Sequence, residues 1–387
     1  MLRRVAAVVV VAGLGLAGLA AQPGTSQGTG QLRPRPGEGR EPEWPAPSIR
    51  EYRPRSTLVV AEHPAQRARY PVVDVHSHQP VPITTEQFDR VVRSMDALGL
   101  QVLVNLSGGS GERLRRGLEA IRTSAHAGRM VLFANVDFRG GVGPGFGARA
   151  AAQLDEDIRA GALGLKIYKD LGLRLTRADG SRLPVDDPEL GPIWDVCGRL
   201  GVPVLIHTAE PQAFFDPIDY RNERWLELAL FRERRYPPER FPRFEDVIAE
   251  RDRMFAAHPK TTFIMAHMGY HANDLARMGR LLDRLPNVYA DVAAVLAELG
   301  RQPRAARAFL AKYQDRILFG KDSYQPDEFP YYWRTFETAD EYFDYYRDYH
   351  AFWKLYGLDL PDEVLRKLYY RNAVKLVRGL PKAGLPS

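Results

Sequence analysis

From Val72 onward, short runs of β-branched and aliphatic residues alternate with longer stretches whose apolar positions recur every three to four residues. The apolar runs occupy residues 72–75, 102–106, 131–136, 164–168, 203–206, 262–265, 288–290 and 317–319. Such runs, bounded by turn residues, predict strands, and the longer period predicts helices over 85–98, 111–127, 147–160, 188–200 and 304–313. Eight strands alternating with helices predict an α/β fold, a TIM-type (β/α)8 barrel forming a single catalytic domain, with extended loops after strands five and eight. An open doubly wound sheet shows a similar alternation, but no Gly-X-Gly-X-X-Gly fingerprint follows the first strand.

The pattern changes before Val72. Residues 1–4 are short and basic, 5–19 are apolar, and Ala20 and Ala21 supply small residues, so 1–21 read as a secretory signal peptide. The expected location is therefore exported, periplasmic or secreted, with membrane insertion only if the leader is retained as an anchor. Residues 22–57 are dominated by Pro, Gly, Arg and Glu and bury too little apolar surface to offset chain entropy, which predicts a disordered linker. The barrel domain is assigned to 58–387. A formal charge of +6, spread through the chain and interleaved with acidic residues, excludes a basic nucleic-acid-binding block. One cysteine, Cys197, excludes an internal disulfide framework and a multi-cysteine zinc site.

Barrel enzymes assemble their sites at the carboxyl ends of the strands. His76 and His78 end the first predicted strand, His207 the fifth, His267 the sixth, and Asp322 follows the eighth. Two histidines two residues apart on an extended chain point the same way and can chelate one ion. Imidazoles combined with a carboxylate suit zinc, with manganese, iron or cobalt as substitutes. A bound ion brings its water towards a neutral pKa, producing hydroxide able to attack a carbonyl carbon, and Asp322 is placed to manage the proton.

The segments Asp74-Val75-His76-Ser77-His78, Pro203-Val204-Leu205-Ile206-His207, Phe263-Ile264-Met265-Ala266-His267, Arg316-Ile317-Leu318-Phe319-Gly320-Lys321-Asp322-Ser323 and Leu368-Tyr369-Tyr370-Arg371-Asn372-Ala373 resemble one family. It is the amidohydrolase-related family of the metal-dependent amidohydrolase superfamily, which includes aminocarboxymuconate semialdehyde decarboxylase, resorcylate-type decarboxylases and dicarboxylate lactonases. The similarity runs from about Tyr70 to Leu380. It implies one divalent metal on His76, His78, His207 and Asp322, with His267 beside the metal-bound water as an acid/base. The alternative is a second metal on His207 and His267 bridged by a carboxylated lysine from strand four. There Lys166 and Lys169 fall on opposite faces, so one or the other qualifies but not both.

Further candidates for substrate binding or support are Asp74, Lys166, Lys169, Glu210, Arg221, His271 and Asp291. Asp74 reads as support for the paired histidines or as an ordinary strand residue, Lys166 as a cation for a substrate carboxylate or oxyanion, and Asp291 as a support or helix cap. His126 falls in a helical run and His258 where a helix should end. Segments 208–255 and 324–342 overhang the expected mouth as pocket walls, packed excursions or oligomer contacts. The expected activity is hydrolysis of an amide, ester or lactone bond in a small molecule. Non-oxidative decarboxylation of an aromatic or unsaturated acid needs the same ligands, and a non-catalytic metal- or ligand-binding barrel is the alternative outside enzymes.

Overall fold

The computed structural model describes residues 41 and 43–386, so the expected leader and the first part of the linker lie outside the described residues. Between 43 and 58 no helix or strand forms. The chain divides between Leu58 and Val59, and the second unit carries the fold. Among the described residues no helix is long and apolar enough to cross a membrane.

Among the described residues, nine parallel strands follow one another: β1 (Val72–Ser77), β2 (Leu100–Asn105), β3 (Met130–Leu132), β4 (Ala134–Asn135), β5 (Leu165–Ile167), β6 (Val204–Ile206), β7 (Phe263–Met265), β8 (Val288–Asp291) and β9 (Ile317–Leu318). They pair in the orders β1-β2-β3 and β4-β5-β6-β7-β8-β9. Two features join these runs into the expected eight-stranded ring. β3 and β4 are the two ends of the third predicted strand, separated only by Phe133, whose N–H bonds Asn105 O at 3.0 Å while Ala134 N–H bonds Gly164 O at 2.8 Å. Phe133 is fully buried, and its ring packs so closely on Gly164 that a Cβ there would meet it at 2.5 Å.

The last strand returns to the first. Val75 N–H donates to Phe319 O at 3.0 Å, Asp322 N–H donates to His76 O at 2.6 Å, and Ser77 bridges Asp322 in parallel. All six residues of β1 are buried, as a strand covered on both faces requires.

The helix Thr85–Leu98 begins as expected because Thr84 and Gln87 form a reciprocal capping box. The helix Gly111–Arg122 ends five residues before the expected limit at 127. The Thr123 and Ser124 hydroxyls turn back onto Glu119 O and Ile121 O at 2.8 and 2.7 Å, supplying a local alternative to further helix. His126 therefore lies in a turn, bonded to Asp89 at 2.8 Å, rather than in the expected helix. His258 caps the helix Phe244–Ala257 and bonds Asp195, and Cys197 is buried inside the helix Gly191–Leu200.

The two overhanging segments differ. The chain after β6 lines a cavity of about 490 Å³ with Gln212, Asp216, Asp219, Arg221, Asn222 and Arg224, facing Tyr270, Ala294 and Glu298. The chain after β9 forms the helix Phe329–Glu337, whose Phe329, Tyr332, Trp333 and Phe336 are wholly buried. Phe329, Tyr332 and Trp333 pack on Phe319 with ring centroids 5.1–6.3 Å apart. The buried face of this helix is core rather than pocket wall.

Candidate metal centre

β1 and the turn after β9 build one side of the centre. Asp74 Oδ1 accepts the backbone N–H groups of His76 at 2.9 Å and Lys321 at 3.1 Å, tying the two chain segments together. It holds backbone and touches neither imidazole, while its other oxygen is buried without a partner. Burial pushes this carboxyl up to about 8 against those two N–H groups. Gly320 permits the close approach, since a Cβ at this position would meet His76 Cβ at 2.8 Å.

The His76 ring is aimed by Asp291, whose Oδ2 takes Nδ1 at 2.8 Å. Asp291 Oδ1 also accepts the N–H groups of His267 at 2.8 Å and Ala293 at 3.1 Å. One buried carboxylate thus aligns β1 with the loops after β7 and β8. His76 Nε2 and His78 Nε2 stand 3.6 and 3.5 Å from Asp322 Oδ1. Ser107 Oγ holds His78 Nδ1 at 2.8 Å.

The other side rises from β6 and β7. His267 to Tyr270 all have left-handed backbone, with φ of 57°, 52°, 58° and 57°. Such a conformation costs an L residue roughly 1–2 kcal/mol. The turn is held by His267 Nδ1 on Ala293 O at 2.8 Å and by the buried Arg251, whose Nη1 donates to Gly269 O at 2.9 Å. At Gly269 a Cβ would meet Arg251 Nη1 at 2.7 Å and Met265 Sδ at 2.8 Å, in addition to the strain of its φ. His271 is buried, accepts from Arg251 Nη2 at 3.2 Å and supports the turn from behind.

His207 Nδ1 lies 3.3 Å from His267 Nε2, and its Nε2 lies 2.8 Å from Tyr270 Oη. Tyr270 donates to Glu210 Oε2 at 2.7 Å, and Glu210 pairs with Lys169. Lys169 therefore faces Glu210. Lys166 is the strand lysine that enters the centre, with Nζ 3.4 Å from His76 Nε2 and cation–π contact with Tyr168 at 5.6 Å. Arg221 lies on the exposed rim of the large cavity.

Among the described residues, ligand atoms of His76, His267 and Asp322 lie within 4.8 Å of one another. His78 joins them through Asp322, and His207 through His267. Burial first, then the Lys166 ammonium, hold His76 well below the usual histidine range and His78 near about 4. Burial likewise lowers His207 and His267. Burial brings Lys166 down to about 8 against the pull of Asp322 and Asp291. Burial works against ionisation of Asp322, but His76, His267, His78 and Lys166 outweigh it and hold the carboxyl well below its usual range.

These groups fit a divalent cation. His76 and His267 spend Nδ1 on acceptors, leaving Nε2 lone pairs turned inward beside an ionised carboxylate. The 3.3 Å between His207 Nδ1 and His267 Nε2 matches the edge of a tetrahedron whose nitrogens stand about 2.0–2.1 Å from zinc. Sequence reasoning missed Tyr270, Arg251, Ser107 and the Ala293 carbonyl. Only Tyr270 left a signal, an aromatic three residues after a strand-end histidine.

The sequence pattern of the Amidohydrolase family matches residues 120–379, more than half of the chain. No curated protein matches it. An uncharacterized TIM-barrel protein from Bordetella bronchiseptica is similar at 16% identity and TM-score 0.50, over 79% of this chain and 98% of the other. A dihydroxybenzoic acid decarboxylase from Polaromonas sp. JS666, solved with manganese and the inhibitor 2-nitroresorcinol, is similar at 14% identity and TM-score 0.51, over 80% and 97%. At these identities the structural likeness speaks for the barrel, and the family match speaks for the chemistry. The chain belongs to the Amidohydrolase family and is a metal-dependent enzyme on a TIM-type barrel.

Proposed function

We propose that this enzyme hydrolyses an amide, ester or lactone bond of a small organic substrate. The observation that carries the reading is the meeting of His76, His267 and Asp322 ligand atoms within 4.8 Å, with the Lys166 ammonium 3.4 Å from His76 Nε2. A divalent ion held by His76, His78, His207 and Asp322, with His267 beside it, zinc by its donor set or else manganese, iron or cobalt, would supply the Lewis acidity that activates water and polarises a carbonyl.

The chain supplies the rest. Asp322, ionised and 33% exposed at the mouth, takes a water proton on its carboxylate and returns it to the leaving group. Lys166 brings positive charge to the place where a carbonyl oxygen becomes an oxyanion. The 490 Å³ cavity is lined by Tyr270, which bonds His207, and its Asp216, Asp219, Glu223 and Glu298 face Arg221 and Arg224, with Arg301 paired to Glu223. That balance suits a neutral or cationic substrate better than an organic anion.

One observation favours non-oxidative decarboxylation instead. A smaller cavity of about 310 Å³, walled by Val136, Phe138, Ile167 and Leu175, carries Lys166 and Arg139 and suits an aromatic carboxylate. Metal-loaded enzyme incubated with panels of esters, lactones, amides and aromatic acids separates the two. Acid release from the first three supports hydrolysis, whereas carbon dioxide release alone replaces it. The leader expected over 1–21 places this chemistry outside the cytoplasm in the same proposal. Amino-terminal sequencing checks this, since a mature chain starting near Gln22 supports export and a retained Met1 in the membrane fraction replaces it with anchoring.

A further inference from the structure

Tyr270 occupies an uncommon backbone position, a non-glycine residue at φ 57° ending a left-handed turn. Strain of this kind persists only where surrounding contacts enforce it, and it collects at working sites. Here the turn brings the Tyr270 hydroxyl between His207 Nε2 at 2.8 Å and Glu210 Oε2 at 2.7 Å. Glu210 in turn pairs with Lys169.

A phenol has one proton to give and lone pairs with which to accept. A carboxylate paired with an ammonium is an acceptor only, so the Tyr270 proton points at Glu210. The Tyr270 oxygen must then accept, and the group facing it is His207 Nε2. That nitrogen therefore carries the imidazole proton, leaving the Nδ1 lone pair facing His267 Nε2 at 3.3 Å. His267 cannot supply a proton to this contact, because its own N–H is spent on Ala293 O. Two lone pairs at that separation repel unless a cation lies against both.

We propose that Tyr270, Glu210 and Lys169 form a hydrogen-bonded chain that keeps the His207 proton on Nε2, so that His207 turns its Nδ1 lone pair to the metal. Tyr270 and Glu210 are positioning residues, acting on the metal only through His207. Second contacts of this kind fix both the tautomer and the direction of a ligating ring. The chain also explains why two lysines three residues apart face different groups: Lys166 serves the centre and Lys169 neutralises the far end of the relay. The proposal rests on the metal-dependent reading above, although its tautomer statement holds for the protein without metal as well.

The test is histidine side-chain nitrogen NMR on full-length protein labelled with ¹⁵N-histidine, with and without zinc, using His207→Gln to assign the resonance. The expected wild-type spectrum has His207 protonated at Nε2, with zinc shifting Nδ1. A proton on Nδ1, or a zinc shift on Nε2, overturns the proposal. In Tyr270→Phe, zinc affinity measured by chelator competition should fall about 10–100-fold, with unchanged thermal unfolding of the zinc-free protein. Glu210→Gln, which keeps an acceptor for the Tyr270 proton, should recover most of the affinity lost in Glu210→Ala. Wild-type zinc affinity in Tyr270→Phe overturns the positioning role. If the wild type binds no zinc, the metal reading fails, and the zinc-free spectrum still decides the tautomer.

Discussion

The two sides of the centre are built differently. His76, His78 and Asp322 stand on β1 and the turn after β9, and their support comes from Asp74 and Asp291, two wholly buried strand carboxyls. His207 and His267 stand at the ends of β6 and β7, and apart from the Asp291 bond to the His267 N–H their support comes from loops: a left-handed turn, Arg251 behind it, and the relay through Tyr270 and Glu210 to Lys169, which is 40% exposed. Sheet register fixes the first side. The second depends on side chains of which Tyr270 lines the 490 Å³ cavity. The barrel thus gives one rigid half, and the loops give a half whose contacts can change with the substrate above it.

The largest effect should follow from removing the charge on the rigid side. Asp322→Asn keeps the size and the chain path of the native residue but cannot accept a water proton. Its kcat should fall about 10²–10⁴-fold, with a native far-ultraviolet spectrum and much of the metal retained. Wild-type turnover in this variant would remove Asp322 from the chemistry. Next in size is Asp291→Asn. It still presents an oxygen to the N–H groups of His267 and Ala293, but it loses the charge that holds His76 Nδ1–H. Metal affinity should drop about 10–100-fold, and thermal stability should drop with it, since the same residue joins β1 to the loops after β7 and β8. If stability stays fixed while affinity falls, the two sides of the centre do not differ in the way described.

The same contrast explains what the chain made legible. Strand-end residues could be placed because period-two runs and the barrel rule together say where each one points, so His76, His78, His207, His267 and Asp322 all reach the mouth. Asp291 was nameable for the same reason, although its contact with His76 depends on a distance no periodicity encodes. Arg251 was not readable, and Tyr270 left only its spacing from His267 as a signal. A left-handed turn of mostly non-glycine residues has no local signature, and Arg251 sits on a helix where an arginine ordinarily faces water. Asp74 read as support for the paired histidines or as an ordinary strand residue, and its bonds go to backbone N–H groups, a choice set by the approach of Gly320 to β1. Between 324 and 342, aromatic richness suggested a pocket wall. Nothing in the composition distinguishes that from the packing on Phe319 that the fold contains.

A smaller effect tests the loop side alone. Burial, then the positive charges of Arg251 and Arg277, bring His271 down to about 2. In the unfolded chain it titrates near 6.5, so below that pH the unfolded state binds a proton that the folded state refuses. Its contribution to stability is whole above pH 6.5 and declines as pH falls, by about 1.4 kcal/mol per unit. His271→Gln, which still accepts from Arg251, should flatten that part of the acid limb in denaturant titrations between pH 6 and 4. An unchanged slope would mean that His271 is protonated in the fold and the turn is held otherwise.

The smallest effect belongs to the exposed rim. Arg221 lines the cavity without reaching the centre, and its guanidinium stands 5.4 Å from the Tyr220 ring. A charge this exposed contributes on the order of 0.2–1 kcal/mol to holding a partner, which is at most about fivefold in affinity. Arg221→Ala should therefore change KM within that range and leave kcat and metal content alone, because nothing connects it to either half of the centre. The sign of the change is informative. Removing a cation from an acidic cavity should lower KM for a positively charged substrate and raise it for an anionic one, so steady-state kinetics on a charge-matched pair of esters reads the polarity of the pocket. A fall in kcat comparable to that of Asp322→Asn would place Arg221 against the reacting atoms and make the loop half of the centre larger than its hydrogen bonds show.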